Sequence, residues 1–308
     1  MLPENAVLPK SQLEQYAKAL EESGEFRVLR RLDPRSIQLQ PFPFEAISEP
    51  QIQCLLIDFE TTGFDIETDD IIEMGAIPFT VSESGHITSV GQWISWFNEP
   101  SKPIPEAITN LTGITDEMVA GHRIDPNAVE LLLKDVTLVI AHVAKFDRPF
   151  AEKLHPRFCE IDWGCSQSQV PWRDRGHDST KLTNLALAAG YFFGAHRALD
   201  DCGAGVLLLS LPLPDTDQPA MKYLLAASRS DTVRIWALGS PFEKKDVLKS
   251  RQYLWSDGTT GQPKTWWKEI PASEEKAELE FLATSVFGRH ADVPRKRITS
   301  RDRFTRRG

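Results

Sequence analysis

The order in which strand-like and helix-like segments follow one another constrains this chain most. Ile52 to Phe59, Ile71 to Val81 and Thr88 to Phe97 are rich in apolar and β-branched residues and are separated by Gly, Asp and Ser, which predicts three strands in succession. Strands joined by connections this short pair antiparallel, as a meander. After Pro105 the pattern changes to helices, then a buried strand from Thr137 to Ala141, a helix from Lys145 to Leu154, a strand near Ile161, and helices at Ser179 to Ala189 and Ala198 to Leu211. Strands first, then alternating helix and strand, describe an α/β unit: a mixed sheet flanked by helices.

At 308 residues the chain exceeds what one hydrophobic core usually organises, so a second unit is expected. Leu13, Tyr16, Ala17 and Leu20 recur at helical spacing in a preface that ends in the proline-bearing run 41–50, which makes 1–50 a helical extension and linker. The α/β domain then covers 51–211. Pro212, Pro214 and the segment Asp215 to Pro219 mark a second linker, 212–219. Residues 220–308 read as a small α+β domain: a strand at Thr232 to Leu238, a helix at Phe242 to Arg251, strands at Tyr253 to Trp255 and Thr265 to Ile270, and a helix from Ser273 to Phe287. The basic stretch from Pro294 to Gly308 is expected to be partly mobile.

A net charge of −9 conceals a division along the chain. From Gln218 onward there are 18 Lys and Arg against 11 Asp and Glu; before it there are 17 against 33. Acid in the first part and base in the second favour a polyanionic partner, although two unlike solvated surfaces would give the same count. No apolar run approaches the roughly 18 to 20 residues that would span a bilayer, so no membrane association is expected. The opening MLPENAVLPK carries prolines and an acid where an export leader needs base and apolar residues, and four cysteines without a C-x-x-C pair read as reduced thiols in a cytoplasm.

The strongest local signal is Asp58-Phe59-Glu60-Thr61-Thr62-Gly63, at the end of the first strand. Side chains in a strand repeat every second residue, so Asp58 and Glu60 share one face while Leu55, Ile57 and Phe59 occupy the other. Two carboxylates at the mouth of a turn offer hard oxygen ligands of the kind Mg²⁺ or Mn²⁺ prefers. The pair alone is equally compatible with a solvated strand end. A third acid, Asp147, follows the buried strand in the first turn of a helix, where it also complements the helix dipole by about 0.3 to 1 kcal/mol. His196 then precedes a helix that carries Asp200 and Asp201.

In this set of motifs the chain resembles the DnaQ-like, DEDDh-type 3′-to-5′ exonucleases of the ribonuclease-H-like superfamily. The resemblance covers roughly 52 to 211. The D-x-E-T-T-G motif of that family matches Asp58 to Gly63, its F-D motif matches Phe146 and Asp147, and its histidine five residues before an aspartate selects His196 and Asp201. Pro103 to Pro105 and Leu111 to Met118 look like the family's loop and helix beside the substrate terminus. Two positions depart from the common pattern: Val143 stands where many members have asparagine, and Cys202 where alanine usually follows the last acid.

The resemblance implies a ribonuclease-H-like fold and two divalent cations, Mg²⁺ or Mn²⁺, held by Asp58, Glu60, Asp147 and Asp201. It makes His196 the general base, a role that imidazole side chains commonly fill. Thr61, Thr62, Gly63, Leu111 and Phe146 are its substrate-binding residues. Four carboxylates brought together repel, by about 4 kcal/mol per pair at 4 Å and an effective dielectric near 20, so convergence itself calls for cations. Two ions about 3.5 to 4 Å apart then flank a phosphodiester. Removal of nucleotides from DNA 3′ ends, in repair or end trimming, is the leading expectation. Trimming of RNA, proofreading beside a DNA polymerase, and a non-catalytic nucleic-acid-binding role are the alternatives.

Residues 232 to 270 interleave Trp236, Phe242, Tyr253, Trp255, Trp266 and Trp267 with Arg234, Lys244, Lys245, Lys249, Arg251, Lys264 and Lys268, which predicts contact with unpaired nucleic acid; the leading reading as a DNA exonuclease makes DNA rather than RNA the expected partner. Some of these tryptophans must also form the small core. Gln38-Leu39-Gln40-Pro41-Phe42 faintly resembles a sliding-clamp peptide.

Overall fold

A computed structural model describes residues 8–32, 49–259 and 262–306. The clamp-like segment 38–42 lies outside them. The extension is helical as expected, with α1 at Lys10–Glu22, and a two-residue strand β1, Arg30–Arg31, follows.

The central sheet is built from β2 (Gln51–Thr61), β3 (Ile71–Ser82), β4 (Ile87–Val90) and β5 (Ile94–Phe97), then, after helices α2 (Glu106–Thr112), α3 (Asp116–Val119) and α4 (Pro126–Leu133), from β6 (Leu138–Ala141). Helix α5 (Ala144–Leu154) leads to β7 (Asp162–Cys165), α6 (Leu182–Ala188), the short β8 (Tyr191–Phe192), α7 (Ala198–Ser210) and α8 (Ala220–Arg229). The six strands run β4-β3-β2-β6-β7, with β5 also paired to β3. β2 is antiparallel to β3 and parallel to β6, and β6 is parallel to β7, so the sheet is mixed.

The third strand of the expected meander is two strands. β4 pairs with Phe79–Val81 and β5 with Glu73–Ala76 of the same neighbour. The break falls at Gly91, whose N–H reaches the Pro78 carbonyl at 2.7 Å and where a Cβ would stand 2.9 Å from the Pro78 ring. A proline in the partner strand lacks the N–H that would have carried the ladder through.

The two faces of the sheet bury separate cores. Leu55, Ile57 and Phe59 join Met74, Val139 and Phe150 on one side; Cys54, Leu56, Ile77 and Ile140 join α7 and α8 on the other. This is the period-two division read from β2. Helix α7 lies close on its face because two glycines admit it. A Cβ on Gly75 of β3 would come within 2.3 Å of the Ala198 backbone, and one on Gly205 within 2.8 Å of Leu56.

The expected linker at 212–219 does not end the first core. Leu213, Ala220, Met221, Leu224 and Leu225 are all buried in it, since α8 presents an apolar face to the sheet. We therefore place the division between α8 and Thr232. Beyond it, β9 (Thr232–Trp236), α9 (Lys245–Ser250), β10 (Leu254–Trp255), β11 (Trp266–Pro271), α10 (Glu275–Phe281) and β12 (Arg295–Ile298) form a four-stranded antiparallel sheet, β10-β11-β9-β12, over its own core of Val233, Ile235, Leu248, Tyr253 and Ile270.

As far as residue 306, the basic end is packed against the fold by pairing and hydrogen bonds. Arg295–Ile298 pairs with β9, and the carbonyls of Ser300, Arg301 and Arg303 all accept from the guanidinium of Arg148, a fully buried side chain on α5. Arg303 in turn donates to the Ala227 and Ser230 carbonyls. The tail thus ties the second unit to the helix that carries Asp147. All four cysteines are free thiols, and no helix among the described residues is long and apolar enough to cross a membrane.

Candidate active site

β2 runs out from between β3 and β6 and delivers Asp58 and Glu60 to the α7 face. The first turn of α7 delivers Asp201. One carboxylate oxygen from each of these three residues lies within 4.8 Å of the others. Asp147, at the start of α5, stands outside that trio but close enough for its charge to raise the pKa of Asp58. It is buried, and its Oδ1 has no hydrogen-bond partner. A buried oxygen left bare beside three more carboxylates fits a cation, because burial without a partner is otherwise unfavourable by roughly 1 to 3 kcal/mol or more for a charged group.

Burial, then mutual repulsion, pushes these acids upward. Asp58 is raised well above its usual value by burial and by Asp147, Asp201 and Glu60. Burial followed by Asp201 and Glu73 lifts Glu60 to about 8, and Arg197 opposes the rise. Asp147 is pushed by burial to about 8 against the backbone groups of Phe59, Asp147 and Val143. Asp201 reaches about 7 through burial, opposed by the backbone N–H groups of Arg197 and His196. Without a cation these acids therefore bind protons more tightly than ordinary carboxylates do.

His196 sits in the loop ahead of α7 in a left-handed conformation, φ 68°. Its backbone N–H donates to Asp201 Oδ2 at 3.0 Å and that of Arg197 to the same oxygen at 3.2 Å, while the imidazole is exposed. The spacing of histidine and acid is thus the geometry of a loop pinned by Asp201. The other nearby histidine is different. His142 is buried between the Ser166 hydroxyl at 2.8 Å and the Thr180 carbonyl at 2.9 Å, and burial lowers its pKa to about 4. A neutral ring must then donate from Nε2 to the carbonyl and accept at Nδ1.

The turn after β2 is closed by its own hydroxyls. Thr61 donates to the Gly63 carbonyl at 2.6 Å, Thr62 donates to Asp69 at 3.2 Å, and Asp70 N–H donates back to Thr62 at 3.0 Å. A Cβ on Gly63 would strike the Asp69 carboxylate at 2.4 Å. Phe146 packs between Phe64, at 5.9 Å in a T-shaped pair, and Phe150, at 5.1 Å. Leu111 stands 51% exposed on α2.

Sequence reasoning missed Glu73, Arg197 and Phe64. Glu73 lies opposite Glu60 on β3, fully buried. It accepts from Arg197 at 3.0 and 3.1 Å, from the Ala198 N–H at 3.2 Å and from Ser95 at 2.7 Å. This fifth carboxylate is satisfied rather than bare, and it anchors the first turn of α7 on which Asp201 rides. An acid inside the otherwise apolar run Ile71-Ile72-Glu73-Met74 was the available signal. Phe64, 82% exposed beside Phe146, had none beyond its place after the motif.

A mixed sheet whose central strand carries two acids, met by a third from a helix crossing that sheet, defines a nuclease domain of the ribonuclease-H-like class. The chain belongs to the exonuclease family: the family model RNase_T, described as Exonuclease, matches residues 55–209. Members use divalent metal ions, which accords with the donor set found here. The chain is 32% identical over 158 residues to the DNA polymerase III PolC-type protein of Thermotoga maritima, covering 48% of this chain but only 11% of that protein. It is 34% identical over 160 residues to DNA polymerase III subunit epsilon of Aquifex aeolicus, covering 48% of this chain and 73% of that one. Among solved structures, E. coli exonuclease I in complex with a 5cy-dT13 oligonucleotide aligns at 14% identity over 72% of this chain and 64% of that chain, with a TM-score of 0.47. The likeness is too loose to bear on function.

Proposed function

We propose that the acidic pocket hydrolyses phosphodiester bonds at the 3′ end of DNA, releasing one nucleotide at a time, in repair or end processing. The observation that carries this reading is the convergence of Asp58, Glu60 and Asp201 within 4.8 Å beside the bare Oδ1 of Asp147. Those four residues would hold two divalent cations, Mg²⁺ or Mn²⁺, which when bound neutralise the phosphodiester and polarise the attacking water. His196 receives the proton of that water, since the residue is exposed and its backbone is fixed to Asp201. The Thr61 to Gly63 turn, Phe146 and Leu111 hold the terminal nucleotide. DNA is favoured over RNA because the relatives that match carry DNA polymerase names.

The same names support a second reading, proofreading in company with a polymerase. Labelled single-stranded, duplex, mismatched and RNA 3′ ends, each with Mg²⁺, with Mn²⁺ and after chelation, separate these readings. Metal-dependent laddering from DNA 3′ ends is expected; no digestion of any end with either metal would sink the proposal, and a preference for mismatched ends that grows when a polymerase is added favours proofreading.

A further inference from the structure

The structure divides the aromatic and basic residues of the second unit into two groups. Trp236 and Tyr253 are buried in its core or against it, and Arg234, Arg251 and Lys268 are paired with Glu269 or Glu278. Of the remainder, Trp267 lies against Arg234, whereas Phe242, Lys245, Lys249, Trp255, Lys264 and Trp266 line one cavity of about 410 Å³. Its size falls within the roughly 300 to 1,000 Å³ of small-molecule sites.

The wall is unusual in being aromatic and uncovered. Phe242 is 76% and Trp255 52% exposed, although burying such rings is normally favourable. Trp255 meets Trp266 edge-to-face at 5.4 Å rather than in a stack. Lys245 lies 4.6 Å from the Phe242 ring. None of Lys245, Lys249 and Lys264 forms an ion pair among the described residues; the nearby Asp257 is held mainly by the Thr259 hydroxyl and N–H, with a smaller contribution from the charge of Lys264. Lysines without an ion pair beside largely exposed rings call for a ligand that is planar and anionic at once.

We infer that this cavity binds an unpaired nucleotide of a single strand, with the base against Trp255 and Phe242 and the flanking phosphates on Lys245, Lys249 and Lys264. It is a second nucleic-acid site, separate from the acidic pocket, and it rests on the reading that this chain works on a nucleic-acid polymer. A lone nucleotide would use the same chemistry, but three cations spread around one cavity match several phosphates of a strand better than one.

The test measures binding without chemistry. In the full chain with a chelator present, the anisotropy of a labelled dT oligonucleotide is followed for the wild type, Trp255→Ala, Phe242→Ala and the double variant Lys245→Gln, Lys249→Gln. Each aromatic removal is expected to weaken binding about fivefold or more. The double variant is expected to flatten the salt dependence by more than one unit of slope, at about 0.7 for each phosphate no longer neutralised. Both aromatic rings are largely exposed, so the variants fold; a thermal melt checks this. Unchanged affinity in both aromatic variants, an unchanged salt slope, or equal dependence on Trp255 for a blunt duplex would each overturn the inference. Because no metal is present, absence of digestion elsewhere leaves this measurement intact, and loss of binding here leaves the nuclease reading standing.

Discussion

The two sheets of this molecule treat charge in opposite ways. In the second unit the acids against the sheet are matched: Glu269 with Arg234, and Glu278 with both Arg251 and Lys268. In the first, of the five acids gathered where β2 meets α7, only Glu73 has an ion-pair partner among the described residues, Arg197. Asp58, Glu60, Asp147 and Asp201 crowd together with no ion pair to any of them among the described residues, and burial and mutual repulsion raise their pKa values. Matched charges hold a fold; unmatched ones of one sign, gathered in one place, mark where something else is bound. The free lysines around the second unit's cavity follow the same rule with the opposite sign.

The largest effect should come from removing one unmatched acid. Asp58→Asn is expected to lower the rate of nucleotide release by about four orders of magnitude, since groups acting on one reacting centre fail together. The same change should raise the melting temperature of the metal-free protein, because it removes repulsion. A loss of rate with lower metal-free stability would mean that Asp58 is structural. Next, His196→Ala is expected to slow digestion by on the order of 10³ while leaving metal affinity, read by calorimetry, unchanged. Undiminished digestion would take His196 out of the chemistry.

Converting the matched acid tests the other half of the comparison. Glu73→Gln keeps the shape but weakens the hold on Arg197 and Ala198, so α7 is expected to sit less firmly. A roughly tenfold fall in kcat, equivalent to about 1.4 kcal/mol, with little change in KM is expected. Arg148→Ala should release the tail, seen as faster trypsin cleavage between Arg301 and Arg306 and a drop in stability of a few kcal/mol as three carbonyls are deprived of a shared donor. Cleavage at the wild-type rate would show that the tail is held elsewhere.

The smallest effect is one of pH. Folded-state values of about 8 for Glu60 and Asp147 and about 7 for Asp201 exceed those of an unfolded chain, so the folded protein binds these protons more tightly. Their contribution to stability is complete below the unfolded values near 4 and is lost as pH rises through 7 to 8. The chelated protein should therefore melt a few degrees lower at about pH 8.5 than at about pH 6, and saturating Mg²⁺ should remove most of the difference. An equal slope with and without metal would place the acids outside any cation site.

Much of the first unit was legible because it depends on local periodicity. The alternation along β2 is the same whether read from residues or from the two cores it feeds, and the acids that share a face in the sequence share one in the fold. The choice of Asp201 over Asp200, carried by resemblance, coincides with the acid that joins the trio. Other features escaped for a definite reason. The split of the third strand depends on Pro78 in the strand alongside it, and the role of Glu73 on an arginine 124 residues away. The docking of the tail uses backbone carbonyls, which every residue has and no residue advertises.

By itself, then, the sequence determined which segments would become strands and helices, which faces would be buried, and that acids were present at strand and helix ends. Only the tertiary structure decided that three of those acids meet while a fourth remains bare beside them, which lysines stay free, and how closely α7 can lie on the sheet over Gly75. Periodicity is a property of neighbours along the chain, whereas pairing, repulsion and close approach depend on distances that exist only once remote segments have packed.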